Sequence, residues 1–589
     1  MQPKKITSVW SLPPLSRRRF VTGAAAGGAL LALGIDSSDA ADDIPANPGP
    51  QILTGNRFDL TIGSQPVNFT GRKRFATAVN GTVPGPVLRW RQGQQVELYV
   101  SNHLPVDSSI HWHGIILPAG MDGVPGVSFG GIRPGETFAY QFPVTQSGTY
   151  WYHSHSGFQE QTGLYGALVI DPIEPEPFSY DRDYVVMLSD WADEDPEAIY
   201  KKLKKLSHYY NFRGRTISDL WRDIDQEGVR NTWRARAMWN QMRMNDRDIS
   251  DVTGYTYTFL MNGQTPAQGW TGLFKPGEKV RLRVINAAAM TFFDLRIPGL
   301  KMTVVAADGQ YIQPITVDEF RIGVAEIYDV IVEPEADVAY SIFAQAMDRS
   351  GYARGTLTPD AGLVAPVPDL DPAPILTHAD MGMAMSAGMD HDHASMDHAG
   401  MDHDPASAPA KAGEGSNRPI EHRKTEFGPQ VDMRATTPEY RLDDPGVGLR
   451  DNGRRVLTYA DLFHLHNTPD PRDPSREVQL HLTGNMTRYM WSIDGVRFAD
   501  AEPLQLKFGE RLRITFVNDT MMHHPMHMHG IWSDLETGDG AHIPRKHTVV
   551  VQPGAKISYL MTADALGEWA YHCHLLYHMP GMFRKVVIS

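Results

Sequence analysis

A chain of 589 residues with one cysteine, Cys573, cannot form an internal disulfide. The fold must then rest on packing, and the thiol is either inert or reserved for chemistry. Long apolar runs are also missing beyond the N-terminal segment. Nothing of about 20 residues could cross a membrane as a helix in the mature chain. No basic stripe marks a nucleic-acid surface, and the formal net charge is −14.

Glycine (53) and proline (42) are plentiful, and 41% of residues are hydrophobic. The chain can bury several cores, with many turns and short strands between them. Its length predicts about three or four domains. At the N-terminus, Ser16-Arg17-Arg18-Arg19-Phe20-Val21 precedes the soft apolar run "VTGAAAGGALLALG" and small residues near Ala40. Residues 1–40 read as a twin-arginine export signal, which makes the expected location periplasmic.

Three stretches repeat: "RQGQQVELYVSNHL" from Arg91, "KPGEKVRLRVINAA" from Lys275 and "KFGERLRITFVNDT" from Lys507. In each, a turn glycine precedes an asparagine by nine residues: Gly93–Asn102, Gly277–Asn286 and Gly509–Asn518. Apolar/polar alternation between them predicts a half-buried strand. Upstream stand the turn pairs Asn80-Gly81, Asn262-Gly263 and Asp494-Gly495. The pattern predicts three related all-β domains, Greek-key sandwiches or barrels, over residues 50–172, 173–354 and 431–589. A Lys/Arg/Trp/Met-rich insert at about 195–246 reads as helical. Residues 355–430 read as a linker, poor in core-forming side chains.

The outer copies share more. Nine residues after Asn102 comes His111 of "HWHG", and nine after Asn518 comes His527 of "HMHG". Gly135 and Gly554 each precede a second His-x-His by 18 residues, at His153/His155 and His572/His574. The middle copy has Leu295 at the histidine position. Alternate strand residues share a face, so each His-x-His offers two imidazoles to one site. Eight imidazoles exceed what one metal takes and suit a cluster of two to four ions. "FHLHN" at His464/His466 lacks the matched offsets and reads as a surface accident.

In "HCH", Cys573 points away from His572 and His574. It can ligate a second metal with His578, five residues on, and with His523 or His524 upstream. Two histidines and a thiolate make a trigonal blue-copper site, usually with a weak axial thioether. An electron arriving there reaches the cluster through either flanking histidine. Ser154 occupies the equivalent of Cys573 in the first copy, which therefore lacks this entry site.

"HWHG", "HSH", "HPMHMHG" and "HCHLLYHM" resemble the four copper motifs of the multicopper oxidases, most closely the periplasmic copper-resistance protein A group. The resemblance implies cupredoxin-like domains and four coppers per chain: one type 1, one type 2 and two type 3. It implies type 2 ligands His111 and His527. Type 3 ligands would be His113, His153, His155, His529, His572 and His574, and type 1 ligands His524, Cys573 and His578. The His-Pro-x-His-x-His pattern selects His524 over His523. The family's axial methionine commonly stands ten residues after the cysteine. Phe583 occupies that place here and Met582 the one before, so either Met582 is the axial ligand or the site has none. Asp122, in "MDGVPG", resembles a carboxylate that delivers protons; it is otherwise a turn residue.

Residues 378–404, "HADMGMAMSAGMDHDHASMDHAGMDHD", mix thioethers with imidazoles. Thioethers favour Cu(I), so this segment reads as a copper-collecting loop that holds additional copper, or else as a linker of biased composition. The expected activity is oxidation of Cu(I) coupled to reduction of O2 to water, with other periplasmic or outer-membrane copper-handling proteins as partners. A laccase-like oxidase of phenols and a copper-sequestering protein are the alternatives.

Overall fold

A computed structural model describes residues 49–383 and 415–589. The export signal and all but the first six residues of the Met/His-rich segment lie outside this range. Six sheets form three cupredoxin-like sandwiches. Strands from Ile52 to Asp171 build the first, from Arg182 to Thr358 the second, and from Glu439 to Ile588 the third. Helices Pro196–Leu203, Ile217–Glu227 and Val229–Met242 fill the insert predicted to be helical. Among the described residues no helix is long and apolar enough to cross a membrane.

The repeated sequence signals perform repeated tasks. Asn80, Asn262 and Asp494 adopt positive φ, followed by Gly81, Gly263 and Gly495 at positive φ. These are the two-residue turns that Asn-Gly and Asp-Gly favour. Each first residue also accepts a backbone N–H through its side-chain oxygen, from Thr61 at 2.7 Å, Met187 at 2.8 Å and His481 at 2.8 Å. The turn is thereby tied to a neighbouring strand.

The asparagine ending each repeated strand is a clamp. Asn102 donates to the carbonyls of Val106 and Ile132 and accepts from Leu104 N. Asn286 donates to Thr291 and Ile322 and accepts from Ala288 N. Asn518 donates to Met522, Val551 and Gln552 and accepts from Thr520 N. Each amide closes the loop leading to the next strand and fastens it to a distant one. A buried amide that meets its hydrogen bonds so fully cannot be replaced by an apolar side chain without orphaning backbone groups.

The strands bearing these asparagines differ in one respect from the expected alternation. Gln95–Asn102 does alternate between buried and less buried positions. Val280–Asn286 is buried throughout. Its arginines survive burial because they are paired: Arg281 reaches Asp329 at 2.6 Å and Glu176 at 2.7 Å, and Arg283 reaches Asp183 at 2.6 Å. Arg283 also donates to Thr149 Oγ1 of the first sandwich at 2.8 Å. Polar residues that mimic a solvent face therefore mark contacts between sandwiches.

Leu295 is fully buried in strand Phe293–Arg296, opposite Phe320 and Ala344. The middle repeat thus keeps the strand and packs an apolar side chain at the histidine position. Replacing Asn286 with alanine leaves two carbonyls and one N–H without partners. The expected cost is about 2–4 kcal/mol, read as a lower midpoint of urea unfolding.

Candidate metal centre

Cross-strand register assembles the histidines. In the first sandwich, strand His111–His113 pairs antiparallel with Gly148–His153, placing His111 opposite His153. In the third, His524–Met528 pairs with Gly567–Cys573, placing His527 opposite His572 and Met526 opposite Cys573. The two sandwiches bring their pairs face to face. His153 Nε2 and His574 Nε2 are 3.3 Å apart across the interface, and the rings of His113 and His527 stack at 3.7 Å.

The ligand atoms group into trios: His113/His153/His574, His155/His529/His572 and His111/His527/His529, each with its atoms within 4.8 Å of one another. All eight predicted cluster histidines are brought together. Around them, oxygen acceptors hold the outward nitrogens. The Nδ1 of His111 faces the Asp122 carbonyl at 2.7 Å, that of His527 the His547 carbonyl at 2.6 Å, and that of His529 Asp122 Oδ2 at 2.9 Å. His153 Nδ1 faces the Ser154 carbonyl at 3.0 Å, with Glu160 Oε2 close by at 2.7 Å, and His572 Nδ1 faces the Cys573 carbonyl at 3.0 Å. An acceptor at Nδ1 puts the proton there and leaves the lone pair on Nε2, turned inward.

Burial, reinforced by neighbouring histidines, holds His113, His155, His527, His529 and His574 well below the ordinary imidazole pKa. His572 falls to about 4. The rings are therefore neutral, the form that binds metal. His111 Nε2, His155 Nε2, His527 Nε2 and both nitrogens of His113 are buried without a hydrogen-bond partner. Converging lone pairs that no donor meets fit a set of cations, and an all-imidazole set suits copper.

The second set is separate. Cys573 Sγ lies 3.5 Å from His524 Nδ1 and 3.9 Å from His578 Nδ1, and the two nitrogens are 3.4 Å apart. Edges of this size surround a point about 2 Å from each atom, the radius of a bound transition metal. The Thr520 hydroxyl donates to Asn518 Oδ1 at 2.8 Å, so it accepts from His524 Nε2 at 2.7 Å. His578 Nε2 meets Asp251 Oδ2 at 2.7 Å. Both Nδ1 lone pairs are thereby aimed at the sulfur. Burial pushes the Cys573 thiol up, so it needs a bound cation to become a thiolate. The soft His2Cys donor set fits copper.

His523 does not join this set. It is buried on the other side of the strand, 5.5 Å from the ring of Phe292. Met582 is fully buried, and its carbonyl accepts Cys573 N–H at 3.0 Å. Phe583, at the position ten residues after the cysteine, stacks on His572 at 5.5 Å. That position supports a cluster ring, and the neighbouring methionine sits beside the cysteine.

Several contributors carry no sequence signal. Glu160 and Asp251 stand at no motif spacing, and Asp251 comes from the loop between the helical insert and strand Thr258–Met261. Its carboxyl, pushed up to about 7 by burial, accepts from Tyr489 OH at 2.9 Å as well as meeting His578. Trp491 stacks on His578 at 3.8 Å. His547, a ninth imidazole, approaches His113 at 4.7 Å. His464 is buried, not a surface residue; its Nδ1 contacts the His466 backbone, and neither joins the cluster.

The Met/His-rich segment begins inside the packed body. Met381 is fully buried, Asp380 pairs with Arg450, and the Gly382 carbonyl accepts Thr437 N–H at 2.8 Å. Residues 378–383 are therefore anchoring structure, which differs from the reading of 378–404 as one loop.

Three family models described as multicopper oxidase match residues 61–175, 182–361 and 471–589. The chain is 56% identical to copper resistance protein A of Escherichia coli, covering 98% of this chain and 99% of the relative. It is 58% identical to a copper resistance protein A homolog of Pseudomonas syringae pv. tomato, with the same coverages. Among solved structures, Fet3p, a multicopper oxidase that functions in iron import, aligns with TM-score 0.62 at 18% identity, covering 91% of each chain. The laccase from Botrytis aclada aligns with TM-score 0.61 at 22% identity, covering 92% and 89%.

The two ligand sets should come apart by mutation. Cys573→Ser should lose the intense blue absorption and one copper per chain while keeping the cluster. His153→Ala should keep the blue absorption and lose cluster copper. Absorption, paramagnetic resonance and copper counting check both, and loss of the same coppers from both variants would refute two separate sets.

Proposed function

The chain belongs to the multicopper oxidase family, and we propose that it is an exported oxidase of copper resistance that takes electrons from Cu(I) and passes them to O2. Four Cu(I) ions become Cu(II) while O2 gains four electrons and four protons and leaves as two waters. One observation carries this reading: Cys573 lies between His572 and His574, so the sulfur-containing set and the imidazole cluster are joined by single residues of one chain segment.

His524, Cys573 and His578 would hold type 1 copper, with Met582 a candidate further ligand. His111 and His527 would hold type 2, and the remaining six cluster histidines the type 3 pair. Copper bound there supplies one-electron exchange at the sulfur site and a multi-electron sink for O2 at the cluster.

The protein's part is to orient, insulate and supply protons. Thr520 and Asp251 fix the two imidazoles against the sulfur. The middle sandwich holds the loop that follows: Leu576 N–H donates to the Ala289 carbonyl at 3.0 Å and Tyr577 N–H to Met290 Sδ at 3.4 Å. Asp122 meets His111 at 3.2 Å and His529 at 2.9 Å. It bridges two cluster histidines and is the candidate to hold and pass protons. Burial of both sets keeps water from competing for the ligand positions.

Cu(I) as the donor is supported by the relatives named copper resistance protein A and by the soft donors of residues 378–404. The Arg17-Arg18-Arg19 signal supports periplasmic delivery by the twin-arginine route, among other copper-handling proteins.

Oxygen uptake with Cu(I) as donor tests the activity. Turnover near one O2 per four Cu(I) is expected, whereas stoichiometric binding without uptake means sequestration. Removing residues 384–404, and leaving the anchoring residues 378–383 intact, should lower Cu(I) oxidation at low copper, where soft ligands raise the local concentration. The loss should shrink at high copper, and phenol oxidation should persist. Equal Cu(I) curves at every concentration would reduce the segment to a linker.

A further inference from the structure

A second group of imidazoles lies in the third sandwich, outside the oxidase centre. His481 stands on strand Arg476–Asn485, and Asp519 follows strand Arg511–Asn518. His422 and Glu426 come from the stretch 18 and 22 residues after the Met/His-rich segment, around the short turn Lys424–Phe427. Three of these side chains are buried, and that of His422 is 20% exposed.

The four inward atoms are His422 Nδ1, His481 Nδ1, Glu426 Oε2 and Asp519 Oδ2. His422 is 2.7 Å from Glu426 and 3.7 Å from Asp519; His481 is 3.3 Å and 2.7 Å from the same oxygens. Four ligands at about 2.0–2.1 Å from one ion stand roughly 3.3 Å apart, and the measured edges bracket that value.

The surroundings orient all but one of these groups. Glu426 uses its other oxygen to accept Arg423 N–H at 3.0 Å, and Asp519 uses its other oxygen to accept Ala435 N–H at 2.7 Å. Gln479 Oε1 accepts Glu421 N–H at 3.1 Å, while its amide group faces the Pro419 carbonyl. That same oxygen lies 3.3 Å from His481 Nε2, which must donate to it. His481 Nδ1 faces two carboxylate oxygens. Two buried carboxylates at this spacing call for positive charge beside them, from protons on the imidazoles or from a bound cation, and His422 leaves a path from solvent.

We propose that His422, His481, Glu426 and Asp519 hold a divalent cation of the zinc or copper(II) class, distinct from the oxidase coppers. Two imidazoles and two carboxylates give the nitrogen–oxygen set these borderline ions take. The ion would staple the stretch that follows the Met/His-rich segment onto the third sandwich. This inference does not depend on the proposed substrate.

The test uses the full-length, copper-loaded protein equilibrated with zinc and desalted, with zinc per chain counted by mass spectrometry. His422→Gln and His481→Gln should each retain one zinc fewer than the native protein, and His103→Gln, an exposed imidazole elsewhere, should match it. In the native protein, zinc should also block diethyl pyrocarbonate modification of His422, read on its peptide, which needs no variant to fold. Equal zinc counts for native and His422→Gln, or modification of His422 undiminished by zinc, would overturn the proposal and leave an ion-pair network balanced by protons.

Discussion

Eight converging imidazoles, seven of them buried, cannot be stable for their own sake. Desolvation suppresses the protonation of His113, His153, His155, His527, His529, His572 and His574, neighbouring rings oppose it further, and several inward nitrogens find no donor. Only cations at the centre resolve this arrangement. Backbone carbonyls and the Asp122 carboxylate hold protons on outward nitrogens, so the inward ones stay bare.

The frame that withstands this strain is one device used three times. A two-residue turn ties a hairpin to its neighbour, and an asparagine amide closes the loop beyond the repeated strand. In the third sandwich the device extends into the site, because Asn518 fixes the Thr520 hydroxyl that fixes His524. The middle sandwich retains the frame with Leu295 in place of histidine. It contributes by contact instead, through the carbonyl of Ala289 and the carboxyl of Asp251 against the segment that carries Cys573 and His578.

A second convergence of imidazoles, here with carboxylates, is found at His422, His481, Glu426 and Asp519. There the donor set is mixed and its rim touches solvent, so it suits an exchangeable ion, not a buried redox centre. Asp494, one of the three turn residues, accepts His481 N–H, so the repeated frame positions this group as well.

The sequence by itself determined the three-fold repeat, the all-β class, the eight histidines that converge and the opposite face on which Cys573 stands. Strand periodicity and turn chemistry are local, and equal offsets between repeats are visible without coordinates. Tertiary structure alone decided which rings meet. His574 faces His153, 421 residues away in sequence, because the first and third sandwiches dock face to face, a relation no spacing encodes. It also decided the roles of Asp251, Glu160 and Trp491, which lie at no motif position. The buried Arg281 and Arg283 look like a solvent face in sequence. Charge neutralised by a partner far along the chain has the same one-letter signature as charge facing water, so only the folded partners, Asp329, Glu176 and Asp183, distinguish the two.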